Sequence, residues 1–394
     1  MPALPPRQRP PAPRPPRRPL PAEGERAWLA DFASSAADAE TFPFLSWNRT
    51  MRETMAQCRD QLAASSPSPG VPELRAALAD YLYQFRGMTV DPSQIVVGAG
   101  TEYLYGLIVR LLGPRRCAVE DPGYQKISKI YESCGVDCAF IPLDGSGVEI
   151  ESLERSAATV LHISPSHHFP TGLVTPVSRR WELLDWASRL QGRVIVEDDY
   201  DSEFRMVGRP IPSLQSIDGG GQVIYVNTFS KSLIPTIRIS YMVLPPWLME
   251  LYRQKLGFYS CTVSNFEQYT LARFIEKGLF EKHVNRMRNY YCSQRDAILA
   301  CIRKHPCRGR LSVGEENAGL HFLLTVKTDL SDEELLQKLQ RHGVRIFCLS
   351  QFYRDKKRAL EHRLVVNYSG IPRGRLEESV NLLLDSLDDS TTAP

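Results

Sequence analysis

The stretch VNTFSKSLIPTIRISY (226–241) sets the primary amine of Lys231 between the hydroxyls of Ser230 and Ser232, with Thr228, Thr236 and Arg238 close by. A Ser-Lys-Ser by itself fits a solvated loop. An amine among hydroxyls and a guanidinium fork also fits a nucleophile placed beside a bound anion.

Other apolar runs also end in polar clusters. GAGTEY (98–103) is a glycine turn opening a helix. Free N–H groups and the helix dipole there suit a phosphate, although Gly-Ala-Gly before a helix is also an ordinary tight turn. EDPGYQ (120–125) puts Tyr124 at the exit of a Pro-Gly turn. That tyrosine is either a surface residue or a flat ring for stacking on a planar ligand. SPSHHFPTG (164–172) contains two histidines. Adjacent histidines point in different directions and no third ligand stands at a metal spacing, so no metal is expected. VEDDYDSEF (196–204) runs from apolar strand into Glu197, Asp198, Asp199 and then Tyr200. The plain reading is a solvated acidic loop. An Asp at the end of a buried parallel strand can instead keep a ring nitrogen protonated. An amine, a phosphate cradle, a stacking ring and a strand-end Asp together describe pyridoxal 5'-phosphate. The lysine condenses with its aldehyde and the Asp pairs with its pyridinium nitrogen.

These clusters work together only if one scaffold gathers them. Strand-like and helix-like runs alternate from about 95 to 227: QIVVG, the helix after GAGTEY, CAVE, YQKISKIYESCG, DCAFIPL, TVLHIS, a helix over 178–192, RVIVEDD and VIYVN. Such alternation predicts a parallel, doubly wound sheet, whose ligands sit outside the carboxyl ends of its strands. The 33 residues from Asp198 to Lys231 leave room for one helix-sized connection between neighbouring strands. GVPELRAALADYLYQFRG predicts a further helix ending at Gly87. After Phe258 the pattern changes to a long helix over 280–304, strands at 321–328, 344–349 and 363–369, and helices at 332–342 and 373–387, a smaller α+β unit.

Composition narrows the class. The chain has 394 residues, 43% hydrophobic and 24% charged, which is ordinary for a globular protein. Residues 1–20 hold nine prolines and five arginines without an acid, a composition expected to be disordered. The net charge of +3 less those five arginines leaves the rest near −2, so charge gives no argument for nucleic-acid binding. There is neither an 18-residue apolar run nor a secretory h-region, so no membrane partner is expected. Nine cysteines, an odd number, read as free thiols in a reducing, cytoplasmic setting.

EDPGYQ, SPSHHFPTG, EDDYDSEFR and NTFSKSLIPTIRISY resemble the marks of fold-type I aminotransferases of class I/II. Within these they are most similar to the aminotransferase-like domain of MocR-type regulators in the GntR superfamily, over roughly residues 40–390. The resemblance implies an α/β fold of type I, with a large cofactor-binding domain (69–280) and a smaller α+β domain (281–394). A segment over 23–68 would pack on the small domain and a dimer interface, after a tail over 1–22. It also implies roles. Lys231 matches the lysine that holds the cofactor, Asp198 the acid on the ring nitrogen, Tyr200 the phenol near the ring hydroxyl and Tyr124 the stacking ring. Gly100 and Thr101 match the helix start under the phosphate, with Thr228, Ser230 and Arg238 as its other partners.

Three positions depart from the pattern. Phe169 stands where an Asn usually precedes Pro-Thr-Gly, and Ser65 where a tyrosine usually reaches the partner subunit. Val365 occupies the slot of the substrate-carboxylate arginine, with Arg363 two residues away on the same strand face. Regulators of this kind also carry a winged helix-turn-helix of about 60 residues or more. Glu23–Phe42 has no room for one, so no direct nucleic-acid binding by this chain is expected. Two functions follow from the resemblance. One is amino-group transfer between an amino acid and a 2-oxo acid in a homodimer. The other is sensing of an amino acid or amine with little turnover.

Overall fold

The computed structural model describes residues 28–34, 41–205, 211–315 and 319–388. The Pro/Arg-rich tail lies outside the described residues. The chain begins with a short strand β1 (Ala30–Asp31) and helices α1 (Phe44–Gln57), α2 (Arg59–Ala63) and α3 (Pro72–Arg86). α3 starts on a proline, whose missing N–H costs nothing at the first helical position, and ends where Gly87 turns left-handed at φ 62°. Its buried stripe is Leu74, Ala77, Leu78 and Leu82.

The alternating part contains β2 (Ile95–Gly98), α4 (Thr101–Leu112), β3 (Cys117–Asp121), α5 (Gln125–Ser133), β4 (Cys138–Asp144), β5 (Gly147–Val148) and α6 (Ile150–Arg155). It continues through β6 (Val160–Ile163), α7 (Val177–Ser188), β7 (Val194–Asp198), α8 (Leu214–Ile217), β8 (Val223–Thr228), α9 (Phe229–Ser232) and β9 (Ser240–Val243). The eight strands form one sheet in the order β2-β9-β8-β7-β6-β3-β4-β5. The run from β4 to β8 is parallel, as the alternation predicts. β9 is not: it runs antiparallel to both β8 and β2. The link from Thr228 to Ser240 is too short for a parallel crossover, which takes about a dozen residues or more, so the chain turns straight back. That reversal pairs Thr228 with Ser240 and keeps Lys231 and Arg238 at one end of the sheet. The expected helix between Asp198 and Lys231 is only the four-residue α8 among the described residues.

Three helices follow, α10 (Pro246–Leu256), α11 (Asn265–Glu276) and α12 (Leu279–Lys304), of which the sequence pattern revealed only the last. The remainder comprises β10 (Leu311–Gly314), β11 (His321–Val326), α13 (Asp332–Arg341), β12 (Val344–Arg345), β13 (Phe347–Cys348), β14 (Arg363–Asn367) and α14 (Leu376–Leu387). β10-β11-β14-β13 is an antiparallel sheet. The expected strand over 344–349 is two strands because the chain changes partner: Val344–Arg345 pairs with β1, and Phe347–Cys348 with β14. α12 joins the two cores. Phe280 and Val284 pack with α3 and α11, whereas Met287, Tyr291, Ile298 and Ile302 pack with the small sheet. Among the described residues, no helix is long and apolar enough to cross a membrane.

Candidate active site

The loop between β8 and β9 is tied into an anion cradle. Thr228 caps α9 by accepting the Ser230 N–H at 3.2 Å, and the Ser240 hydroxyl donates to Thr228 Oγ1 at 2.8 Å. Arg238 Nη1 donates to Ser230 Oγ at 3.3 Å. Gly100, the residue before α4, lies directly against this arginine at φ +94°, and a Cβ there would overlap the guanidinium. Glycine is therefore required twice, for its backbone and for its lack of side chain. Arg238, Ser230 and the open N–H groups of the first turn of α4 thus converge on one spot. Lys231 is half-buried beside it. Burial lowers its pKa and so favours the free amine, against the opposing pull of the nearby Asp201 carboxylate.

The three consecutive acids of β7 and its exit have separate fates. Glu197 faces Arg180 at 3.4 Å and accepts the N–H groups of Leu214 and Gln215 at 2.8 and 3.0 Å. Arg180 also donates to the carbonyls of Pro165, Thr175 and Pro212, which fixes the SPSHHFPTG loop. Asp199 pairs with Arg86 at 2.6 Å and accepts the Tyr225 hydroxyl at 2.6 Å. Asp198, pointing to the other face, has no arginine or lysine partner among the described residues. The Tyr105 phenol of α4 donates to its Oδ2, and His162 Nε2 lies 3.7 Å from the same oxygen. The His162 Nδ1 is in turn 2.7 Å from the Tyr131 hydroxyl. Oδ1 of Asp198 is buried and has no hydrogen-bond partner among the described residues. A buried carboxylate oxygen left in this state is costly, and a ligand N–H would satisfy it.

Across the opening, Tyr124 is 44% exposed, so a face of its ring is free to take a ligand. Its ring meets Phe169 edge to face at 5.9 Å. The Tyr200 hydroxyl is 3.2 Å from His167 Nδ1. The turn that carries Tyr124 also binds the small domain, since Asp121 accepts the N–H groups of Arg354 and Asp355 at 2.7 and 3.2 Å. Glu120, next to it, has its pKa raised to about 8 by burial, with the Asp198 charge adding. His168, 3.4 Å from Glu120, is pushed down to about 3 by burial and by His167. Both are therefore uncharged at neutral pH.

The substrate side differs from the arginine slot that the family pattern supplies. Val365 is buried among Leu323, Leu349 and Tyr353, with Phe169 packed against them. Arg363 is half-buried on β14 opposite Thr325 and beside Tyr353. Ser65 is exposed just after α2.

The sequence profile of the family described as aminotransferase class I and II matches residues 31–383. The chain belongs to this family. An uncharacterized HTH-type transcriptional regulator of Bacillus subtilis (strain 168), YdeL, is 36% identical over 363 residues, or 92% of this chain and 77% of that protein. The probable rhizopine catabolism regulatory protein MocR of Rhizobium meliloti is 32% identical over 371 residues, 91% of this chain and 74% of that protein. Among solved structures, a kynurenine aminotransferase of Pyrococcus horikoshii is similar with a TM-score of 0.80 and 25% identity, covering 93% of this chain and 92% of that one. The architecture is accordingly fold type I.

In this member of the class I and II aminotransferase family, Tyr105 and His162 are site residues that the sequence motifs did not reveal. His162 had a signal: it is the polar residue inside the otherwise apolar TVLHIS strand. Tyr105 had none, since its role depends on how α4 packs on the sheet.

Proposed function

We propose that the chain binds pyridoxal phosphate covalently through Lys231 and transfers an amino group between an amino acid or amine and a 2-oxo acid. The observation that carries this reading is the buried, unpartnered Oδ1 of Asp198 in a protein whose neighbouring acids are both neutralised by arginines. When bound, the cofactor supplies a carbonyl carbon for the amine and a ring that withdraws electrons from the substrate's Cα. The chain's residues would do the rest. Gly100, Thr101, Thr228, Ser230 and Arg238 hold the phosphate. Asp198 accepts the ring N–H, kept in place by Tyr105 and His162. Tyr200 donates to the ring oxygen, and Tyr124 covers one ring face. The Lys231 amine, once free, would be the base that takes the proton from the substrate's Cα. Arg363, two residues from Val365 on the same strand, would be the cation for an anionic substrate end.

The test uses the purified chain loaded with pyridoxal phosphate. A visible absorption band should form, be absent in Lys231→Ala, and be discharged by members of an amino-acid panel with release of the matching 2-oxo acid. No band in the wild type removes the cofactor reading. A band that shifts with amines while no 2-oxo acid is released favours the second reading, an amine sensor. The apolar Val365 slot and the regulator relatives support that alternative. A homodimer in a reducing compartment belongs to either reading. The nine cysteines, none in a disulfide, fit such a compartment.

A further inference from the structure

His167 and Asp201 are both buried, on the loops that leave β6 and β7. His167 Nδ1 lies 2.8 Å from Asp201 Oδ2 and 3.2 Å from the Tyr200 hydroxyl, so one ring nitrogen faces two oxygens. An ionised carboxylate only accepts, so at 2.8 Å the nitrogen must carry the hydrogen, whichever charge the ring has. That N–H is then shared with the phenol oxygen, which becomes an acceptor. The phenol's own hydrogen must point elsewhere.

The ring is also held from the far side. His321 of β11 sits with its ring 4.5 Å from that of His167. Gly319, at φ +67°, lies so close that any side chain would overlap the His167 ring. Its carbonyl accepts the Tyr368 hydroxyl at 2.9 Å and its N–H donates to Phe204 at 3.2 Å, so this segment is pinned against His167. Arg86, Arg180 and Arg205 line the small cavity behind the pair, so Asp201 shares its surroundings with three guanidinium groups.

We propose that His167, fixed in its Nδ1–H form by Asp201 and braced by the small domain, is a positioning residue that aims the Tyr200 hydroxyl hydrogen at the ring oxygen of the cofactor. The proposal rests on the cofactor reading above for its consequence, though not for the tautomer. Burial, with Asp201 and Asp198 adding, also pushes the Tyr200 phenol well above its usual range, so its hydrogen is retained. The role requires no chemistry at His167 itself.

The first measurement needs no cofactor. Histidine-selective ¹⁵N labelling of the whole chain, with the His167 signal assigned by its loss in His167→Asn, should show a hydrogen on Nδ1. Asp201→Asn should lower the share of the Nδ1–H form, because the amide can donate as well as accept. A wild-type His167 protonated only at Nε2 overturns the proposal. The second measurement follows the pH midpoint of the visible band in the loaded protein. The groups facing His167 that titrate or carry charge are Asp201, Tyr200, His168, His321 and the three arginines, so the comparison is made between variants. Tyr200→Phe should move the midpoint by about half a pH unit or more. Asp201→Asn and His167→Leu should move it in the same direction, and should add nothing in the Tyr200→Phe background. His167→Asn, which keeps an N–H near the Nδ1 position, should recover part of the shift. Full additivity with Tyr200→Phe, or no recovery by Asn over Leu, would overturn it. If the wild type forms no band, the cofactor reading fails while the ¹⁵N result still decides the state of His167.

Discussion

The two walls of the cleft are built on different principles. The large-domain wall is a set of strand ends and a helix start, each terminating in a polar group: Gly100 and Arg238 at one end, Asp198 at the other and Lys231 beside the cradle. The small-domain wall is a packed sheet face, with Val365 and Leu323 against Phe169 and with Arg363 set beside Tyr353. On the proposed reading, one wall would specify a cofactor by charge and hydrogen bonds. The other excludes water by packing and offers a substrate little polarity. Holding the cofactor and choosing the substrate are therefore separable, which is how one fold can serve catalysis or sensing.

Four substitutions test that contrast, in order of decreasing effect. Asp198→Asn should leave the cofactor attached but lower turnover by about 10²–10³-fold, since a neutral amide does not hold the ring nitrogen protonated. Single-turnover rates on the loaded protein measure this, and an unchanged rate removes Asp198 from its assigned role. Arg238→Ala should weaken cofactor binding by roughly 10–100-fold, the value of a charged hydrogen bond, with the band position unchanged. Equilibrium titration with pyridoxal phosphate reads that affinity.

Glu120→Gln probes the cleft floor through pH. The Glu120 pKa in the folded chain is raised to about 8 from 4.5. Its contribution to stability is therefore complete below about pH 4.5 and is lost as the pH rises through about 8. The glutamine variant should lose fewer degrees of Tm than the wild type between those limits, by a few degrees, in thermal scans. Arg363→Ala should have the smallest effect, a rise in KM for acidic substrates of about threefold at unchanged kcat. A hundredfold rise would show that the small-domain wall selects by charge after all.

The large-domain wall was largely legible because its groups sit on short segments at the ends of apolar runs, each with its own local pattern. Lys231 and its hydroxyls, the EDPGYQ turn and the acids of β7 could be read locally. The choice among the three acids was less accessible. It depends on Arg86 reaching Asp199 from α3 and Arg180 reaching Glu197 from α7, contacts 113 and 17 residues apart in sequence. The brace on His167 was invisible for the same reason, since Gly319 and His321 come from the other domain. The antiparallel return of β9 was hidden because an apolar run does not state its direction. The split of 344–349 was hidden because β12 takes as its partner a strand from the opposite end of the chain.

That last pairing has a consequence for the order of assembly. β1 lies ahead of the whole large domain in the chain, yet its partner β12 belongs to the small domain. A chain made from its N-terminus must therefore hold β1 without that partner until the residues of β12 exist, so the small domain is completed last.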